Sequence, residues 1–320
     1  MSVFTRVDRH SLEHFLTRFD QGRLESFKGV SEGIENTNYF VTTSRGAFVL
    51  TLIEQWPAPQ VPYFINLMAW LAERGIPSAR PIADRSGQNL HTLLGKPAAL
   101  VERLAGESTE EPTIDHCHAV GKVLADLHIA GQDFPGQRPD HPGIEWRAAT
   151  VQRLVQRLDP ADLDCLQMEM DHYRSLALAQ LPRGVIHADL FPDNVLLREG
   201  EISGVIDFYY ACNDVWIYDV AITANQWCAS NKGQLCPDKL SALLQAYNGR
   251  RPLLASERAV WPAMLRYGAL RFWISRLQDK LFPKQGHLTT VKDPDAIRKI
   301  LLDRQATQEQ LLEMWDTCLN

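Results

Sequence analysis

The chain opens with a helical spacing of apolar residues. In "MSVFTRVDRHSLEHFL", Leu12, Phe15 and Leu16 fall on one face of an amphipathic helix. The period then changes. "LESFKGVSEGI" predicts a strand running into a turn at Gly33, and "TNYFVTT" alternates as a half-buried strand does. "SRG" at 44–46 marks a turn, and "AFVLTLIE" is a near-continuous run of β-formers, hence a buried strand. These three segments predict an antiparallel meander. A helical stripe returns in "VPYFINLMAWLAERG", with Phe64, Leu67, Met68 and Leu71 aligned and Gly75 as the stop. "NLHTLLGKPAALVERL" predicts two more strands joined by a Gly-Lys-Pro turn.

After Leu104 the pattern shifts. "AGESTEEPT" is polar and loop-like, and from about Asp115 helical spacing dominates. It runs through "VGKVLADLH", through "TVQRLVQRLDPADLDCLQMEMDHYRSLALAQL" with a break near Pro160, and through much of 216–320. One β island interrupts it: "VLLR", the turn "EGE", then "ISGVID", a short hairpin. The expected fold class is α+β with two lobes. Residues 1–104 form a small antiparallel sheet with one packed helix, and residues 105–320 form a larger, mainly helical lobe that carries the hairpin.

Composition narrows the functions. The net charge of −6 argues against a nucleic-acid partner, whose phosphates call for a basic face. No apolar run reaches the roughly 18 residues of a membrane span, and the N-terminus lacks a signal-peptide core. The six cysteines are scattered without a C-x-x-C pair, which fits reduced thiols and a cytoplasmic location. "HCH" at 116–118 suggests a metal at first sight. His116 and His118 are two apart on a predicted helix, so they point to different faces, and no metal is expected there.

The chemistry concentrates in "HADLFPDN", residues 187–194, just before the hairpin, and in Asp207 just after it. An antiparallel hairpin brings its entrance and exit together. Asp189, Asn194 and Asp207 should therefore converge. Asn194 and Asp207 offer hard oxygen donors suited to Mg²⁺, which binds through few protein ligands plus substrate phosphates. Asp189 stands beside them as a base for a hydroxyl attacking a phosphoryl group. The spacing, His-x-Asp, four residues, Asn, then a later Asp before Phe208, matches the kinase template. His187 is expected to brace the loop. Asp219, at the start of an apolar helical run, is expected to cap that helix, with bracing of the catalytic loop as the second role.

"HADLFPDNVLL", "GVIDF" and the upstream "VGKVLADLH" resemble the aminoglycoside-phosphotransferase-type small-molecule kinases, which share the bilobal protein-kinase fold. "GIENTNYFVTT", "FVLTLIE" and "LRFWISRL" are similar to bacterial homoserine kinases of the kinase-fold type. The resemblance spans nearly the whole chain. It implies ATP and Mg²⁺ as cofactors and L-homoserine as the small-molecule acceptor. Asp189 would be the catalytic base, and Asn194 and Asp207 the metal ligands. The front lobe would cradle ATP, with the main chain of Glu102, Arg103 and Leu104 at the adenine. Choline, an aminoglycoside or a sugar are the alternative acceptors, and a scaffold that binds nucleotide without catalysis is the alternative class.

Departures from the template qualify this. The place of the usual phosphate-binding Lys holds Thr51, and the following helix has only Glu73, at its end, as an acidic partner. Phosphate charge is then left to Mg²⁺, to main-chain N–H groups near Gly33, or to Lys28 or Arg45. "SEGIEN" is not a three-glycine loop, and Asn36 and Asn38 are expected to cap it. Ala188 replaces the Arg of the protein-kinase loop. On the acceptor side, Tyr209 and Tyr210, the polar group Asn225, Gln226 and Trp227, and one of Arg266, Arg271 and Arg276 are the candidates. Tyr209, Trp227 and Arg271 are preferred.

Overall fold

The computed structural model describes residues 5–30, 36–138, 143–282 and 292–319. These fall into two compact units, divided between Ala105 and Gly106.

The first unit begins with α1 (Arg9–Leu16). The Asp8 carboxylate caps it by accepting from the Ser11 N–H at 2.7 Å, and Leu12, Phe15 and Leu16 are buried. The strands β1 (Leu24–Gly29), β2 (Thr37–Thr43) and β3 (Gly46–Leu52) form the expected antiparallel meander. Then come α2 (Val61–Glu73), β4 (His91–Leu93) and β5 (Lys96–Glu102). The five strands make one sheet in the order β1-β2-β3-β5-β4. Tyr39 and Val41 of β2 join Phe48, Leu50 and Leu52 of β3 and the apolar stripe of α1 in one core. The helix α2 buries Phe64, Leu67, Met68 and Leu71 and stops before Gly75, whose φ of 82° suits a left-handed stop. One turn differs from expectation. The β4–β5 turn is Leu94-Gly95, with φ of 51° and 77°, and Lys96 and Pro97 already lie in β5. Positive φ at both central residues is the geometry of a two-residue hairpin turn, which a Gly-Lys-Pro turn would not supply.

The second unit begins with α3 (Ile114–Gly131), α4 (Ile144–Leu154) and α5 (Pro160–Arg174), the last started by Pro160 as its first residue. Next come β6 (Arg183–Ile186), β7 (Val195–Arg198), β8 (Glu201–Val205) and β9 (Cys212–Val215). Five helices close the unit: α6 (Trp216–Trp227), α7 (Pro237–Arg250), α8 (Ala255–Leu281), α9 (Pro294–Ala306) and α10 (Gln308–Leu319). α3 lies so close to α7 that a Cβ at Gly121 would fall 2.3 Å from the Leu243 carbonyl oxygen. The hairpin β7–β8 pairs Val195 with Val205 and turns at Glu199-Gly200. The four-residue strands β6 and β9 pair antiparallel as a second ribbon. The two loops that matter, 187–194 and 206–211, both run between these two ribbons. Topology alone therefore places them side by side. Among the described residues no helix is long and apolar enough to cross a membrane.

Candidate active site

The loop leaving β6 is fixed by a buried carboxylate. Asp219 accepts from the His187 N–H at 2.7 Å through Oδ2 and from the Ala188 N–H at 2.8 Å through Oδ1. It does not cap α6. The cap position is Val215, and Asp219 sits inside the first turn with no exposure. Its side chain points back to the loop, where two main-chain donors outcompete the helix end. The His128 ring, on α3, donates from Nε2 to Asp219 at 3.0 Å and accepts from the Tyr247 hydroxyl at 2.7 Å, so it is neutral. Burial pushes His128 down against the pull of Asp219, which agrees with that tautomer. Burial alone would raise the Asp219 carboxyl. The hydrogen bonds from the His128 ring and the His187 main chain outweigh it and hold the group below the usual carboxylate range.

His187 joins the two loops. Its Nε2 donates to the Ile206 carbonyl at 3.0 Å, and its Nδ1 accepts from the Asp189 N–H at 3.2 Å. Burial lowers its pKa, again in keeping with a neutral ring. Asn194 completes the arrangement. Its Nδ2 donates to the Asp189 main-chain oxygen at 2.8 Å and to the Asp189 carboxylate at 3.0 Å. Its carbonyl accepts from the Ile206 N–H at 3.0 Å, one residue before Asp207. Asp189, Asn194 and Asp207 are half-buried. Ala188 and Asp207 have φ of 62° and 63°, in the left-handed region. Such backbone is costly for residues other than glycine and gathers at functional sites.

The donor set suits a hard cation. With both Nδ2 hydrogens of Asn194 turned to Asp189, its Oδ1 is left for a cation. Asp207 adds one carboxylate at the same hairpin mouth. Among the described residues no group of three or more His, Cys, Asp or Glu is placed to hold a metal. Two oxygen donors completed by phosphate and water is the pattern of Mg²⁺.

The family model of the phosphotransferase enzyme family matches residues 26–253. The homoserine kinase of Methylobacillus flagellatus is 47% identical over 315 residues, 98% of this chain and 99% of the relative. That of Methylobacillus glycogenes is 45% identical over the same shares. The chain belongs to the homoserine kinases of the phosphotransferase enzyme family. Among solved structures, amicoumacin kinase hAmiN with AMP-PNP and Ca²⁺ has a TM-score of 0.71 at 16% identity, covering 95% of this chain and 94% of that one. It shares the kinase-like fold.

In this member of the homoserine kinases, several other expected positions prove to be occupied differently. Trp227 is 1% exposed, and its indole N–H donates to the Leu190 carbonyl at 2.8 Å, so it supports the 187–194 loop from behind instead of lining open space where an acceptor was expected. Arg271 is 2% exposed and donates to the Ala188 carbonyl. Arg266 pairs with Glu169 at 2.6 Å, and Arg276 donates to the Asp293 carbonyl at 2.9 Å. Tyr209 is buried in the turn Phe208–Tyr210, and Tyr210 is half-buried with the Arg271 guanidinium 4.8 Å from its ring.

In the first unit, Thr51 donates to the Asn38 side-chain oxygen at 2.7 Å, and the Asn36 side chain accepts from the Glu54 N–H at 3.2 Å. Both asparagines thus meet groups at the end of β3 and just beyond it, and the turn they were expected to cap, 31–35, lies outside the described residues. Gly33 lies outside the described residues. Arg45 sits at the far end of β2 from that turn and donates to the Asp20 carbonyl at 2.7 Å, which removes it as a phosphate cation. The Glu102 N–H is taken by the Arg80 carbonyl at 2.9 Å and that of Arg103 by Ala47 at 3.3 Å. Of the three N–H groups at the end of β5, that of Leu104 remains for a ligand. The His116 ring closes a capping box with Thr113 at the start of α3, which accounts for the "HCH" histidine without a metal.

Proposed function

We propose that the chain transfers the γ-phosphoryl group of ATP to the side-chain hydroxyl of L-homoserine, giving O-phospho-L-homoserine for threonine synthesis. The observation that carries this reading is the Asp189–Asn194 pair at the mouth of the β7–β8 hairpin, in a chain 47% identical to a homoserine kinase. Asp189 accepts the hydroxyl proton as the oxygen attacks phosphorus. Asn194 holds that carboxylate in one orientation. Asn194 Oδ1 and Asp207 would hold Mg²⁺, which supplies neutralisation of phosphate charge. Phosphoryl transfer asks for positioning and charge neutralisation more than covalent help, and the pinned loops suit that demand. The first unit, 1–104, is the nucleotide-binding part, with Leu104 N–H offered to adenine and Lys28, beside the β1–β2 turn, as the remaining cation for phosphate. Residues 105–320 provide catalysis and acceptor binding. Six free cysteines support a cytoplasmic setting.

A coupled ADP-release assay with Mg²⁺ and ATP tests the reading. Homoserine-dependent turnover is expected. Asp189→Asn lowers kcat by about a thousandfold, within the range of general base catalysis, and turnover stops when EDTA removes the metal. Turnover with choline or an aminoglycoside but not homoserine overturns the proposal.

A further inference from the structure

Ala188 holds a left-handed backbone at φ 62°. For an alanine that conformation is strained, so its neighbours must hold it there. On the N–H side Asp219 does so at 2.8 Å. On the carbonyl side the partner is the guanidinium of Arg271, which reaches in from α8. That same peptide continues into the Asp189 N–H, held by the His187 ring at 3.2 Å. The peptide entering the base is therefore clamped at both ends.

Arg271 is an unusual residue to find there. It is 2% exposed and makes no salt bridge among the described residues. Its charge faces the ring of Tyr210 at 4.8 Å and of Phe272 at 4.5 Å. Burial works against the charge of a guanidinium so placed, but its neighbours, the Asp189 carboxylate among them, outweigh that and keep it charged. A residue needed only for packing would be a Leu or Met. Ala188 stands where the protein-kinase loop carries its own Arg. Here a guanidinium comes to the same loop from a distant helix.

We propose that Arg271 is a positioning residue for phosphoryl transfer: it fixes the Ala188–Asp189 peptide so that the Asp189 carboxylate meets the acceptor hydroxyl, and it does not grip the acceptor's carboxylate. The statement rests on the kinase reading above. The test compares Arg271→Met and Arg271→Lys with the parent enzyme. Two acceptors are used at saturating ATP: L-homoserine and 3-aminopropan-1-ol, which is homoserine without its carboxylate. Arg271→Met is expected to lower kcat about a hundredfold, the scale of a small displacement of a catalytic group, equally for both acceptors and with little change in KM. Arg271→Lys, which keeps a cationic donor, restores part of the loss. A raised KM for homoserine at unchanged kcat, with the preference over 3-aminopropan-1-ol gone, overturns the proposal in favour of a carboxylate clamp. So does a wild-type kcat in Arg271→Met. A crystal structure of Arg271→Met, or of Arg271→Lys should the first not fold, gives a readout independent of the acceptor. Ala188 is expected to leave positive φ in the Met variant, or its carbonyl to be met by the new ammonium in the Lys variant. An Ala188 peptide unmoved in Met, or unmet in Lys, sinks the idea. If the parent enzyme turns over no homoserine, the proposed function fails while this structural readout still decides the role of Arg271.

Discussion

Leu94 and Glu199 have the same left-handed backbone as Ala188 and Asp207, with φ between 51° and 63° in all four. The first two sit at the tips of the hairpins β4–β5 and β7–β8, exposed, each followed by a glycine that is also left-handed. There the turn itself asks for positive φ at both central positions, and the strands on either side hold it. Ala188 is buried in a loop, with no strand ladder to impose its conformation. It is held by Asp219 and Arg271, and Asp207 follows Ile206, whose N–H and carbonyl are bound by Asn194 and His187. The same strain is thus local property at the tips and a tertiary product at the site. Remote side chains should matter greatly to the site and hardly at all to the tips.

The largest effect separating them is expected at Asp219. Asp219→Ala leaves the His187 and Ala188 N–H groups and the His128 ring without their acceptor. It should destabilise the fold by about 3–5 kcal/mol, as breaking a buried charged network does, with a matching loss in midpoint on thermal melting. Retention of the parent melting temperature would mean that the loop does not depend on this brace. A smaller effect comes from acid. His128 and His187 are neutral in the fold with lowered pKa, mainly through burial. The unfolded chain therefore binds more protons as pH falls below about 6.5. Each histidine then removes stability at up to roughly 1.4 kcal/mol per pH unit, until its own folded pKa is reached. Urea unfolding at pH 7.5 and 5.5 should show the fall, and His128→Gln should reduce it. The smallest effect belongs to a tip. Glu199→Asn makes an Asn-Gly turn and should stabilise by about 0.5 kcal/mol at most, with kcat unchanged. A large change in kcat would show that tip and site are not the separate cases described.

Much of the architecture was legible because its signals are local. The stripe of Leu12, Phe15 and Leu16, the alternation in Thr37–Thr43 and the stop at Gly75 each lie within a few residues of the structure they specify. The hairpin after "HADLFPDN" was legible for the same reason, and its closure brought Asn194 beside the residue preceding Asp207. The turn at Leu94-Gly95 was misplaced by two residues because Leu carries no turn signal, whereas the neighbouring Pro97 does. The strands β6 and β9 were missed because no turn joins them: unlike β7 and β8, their paired residues lie 26 to 32 apart in the sequence. The bracing shell was the least visible part. His128 was not singled out at all, Trp227 and Arg271 read as pocket residues, and Asp219 read first as a cap. Trp227, Arg271 and Asp219 meet main-chain groups 31 to 83 residues away, the His128 ring meets the Asp219 side chain 91 residues away, and peptide N–H and carbonyl groups leave no mark in an amino-acid alphabet.

Ile206 shows where such a design leads. Its peptide groups are the knot that ties the loop of Asp207 to the loop of Asp189. Replacing it with another β-branched or aliphatic residue leaves that knot whole, because every such residue brings the same amide. Proline, which alone lacks the hydrogen, is the one natural substitution that unties it. A position can therefore be indispensable to an enzyme while being almost indifferent to which side chain it carries.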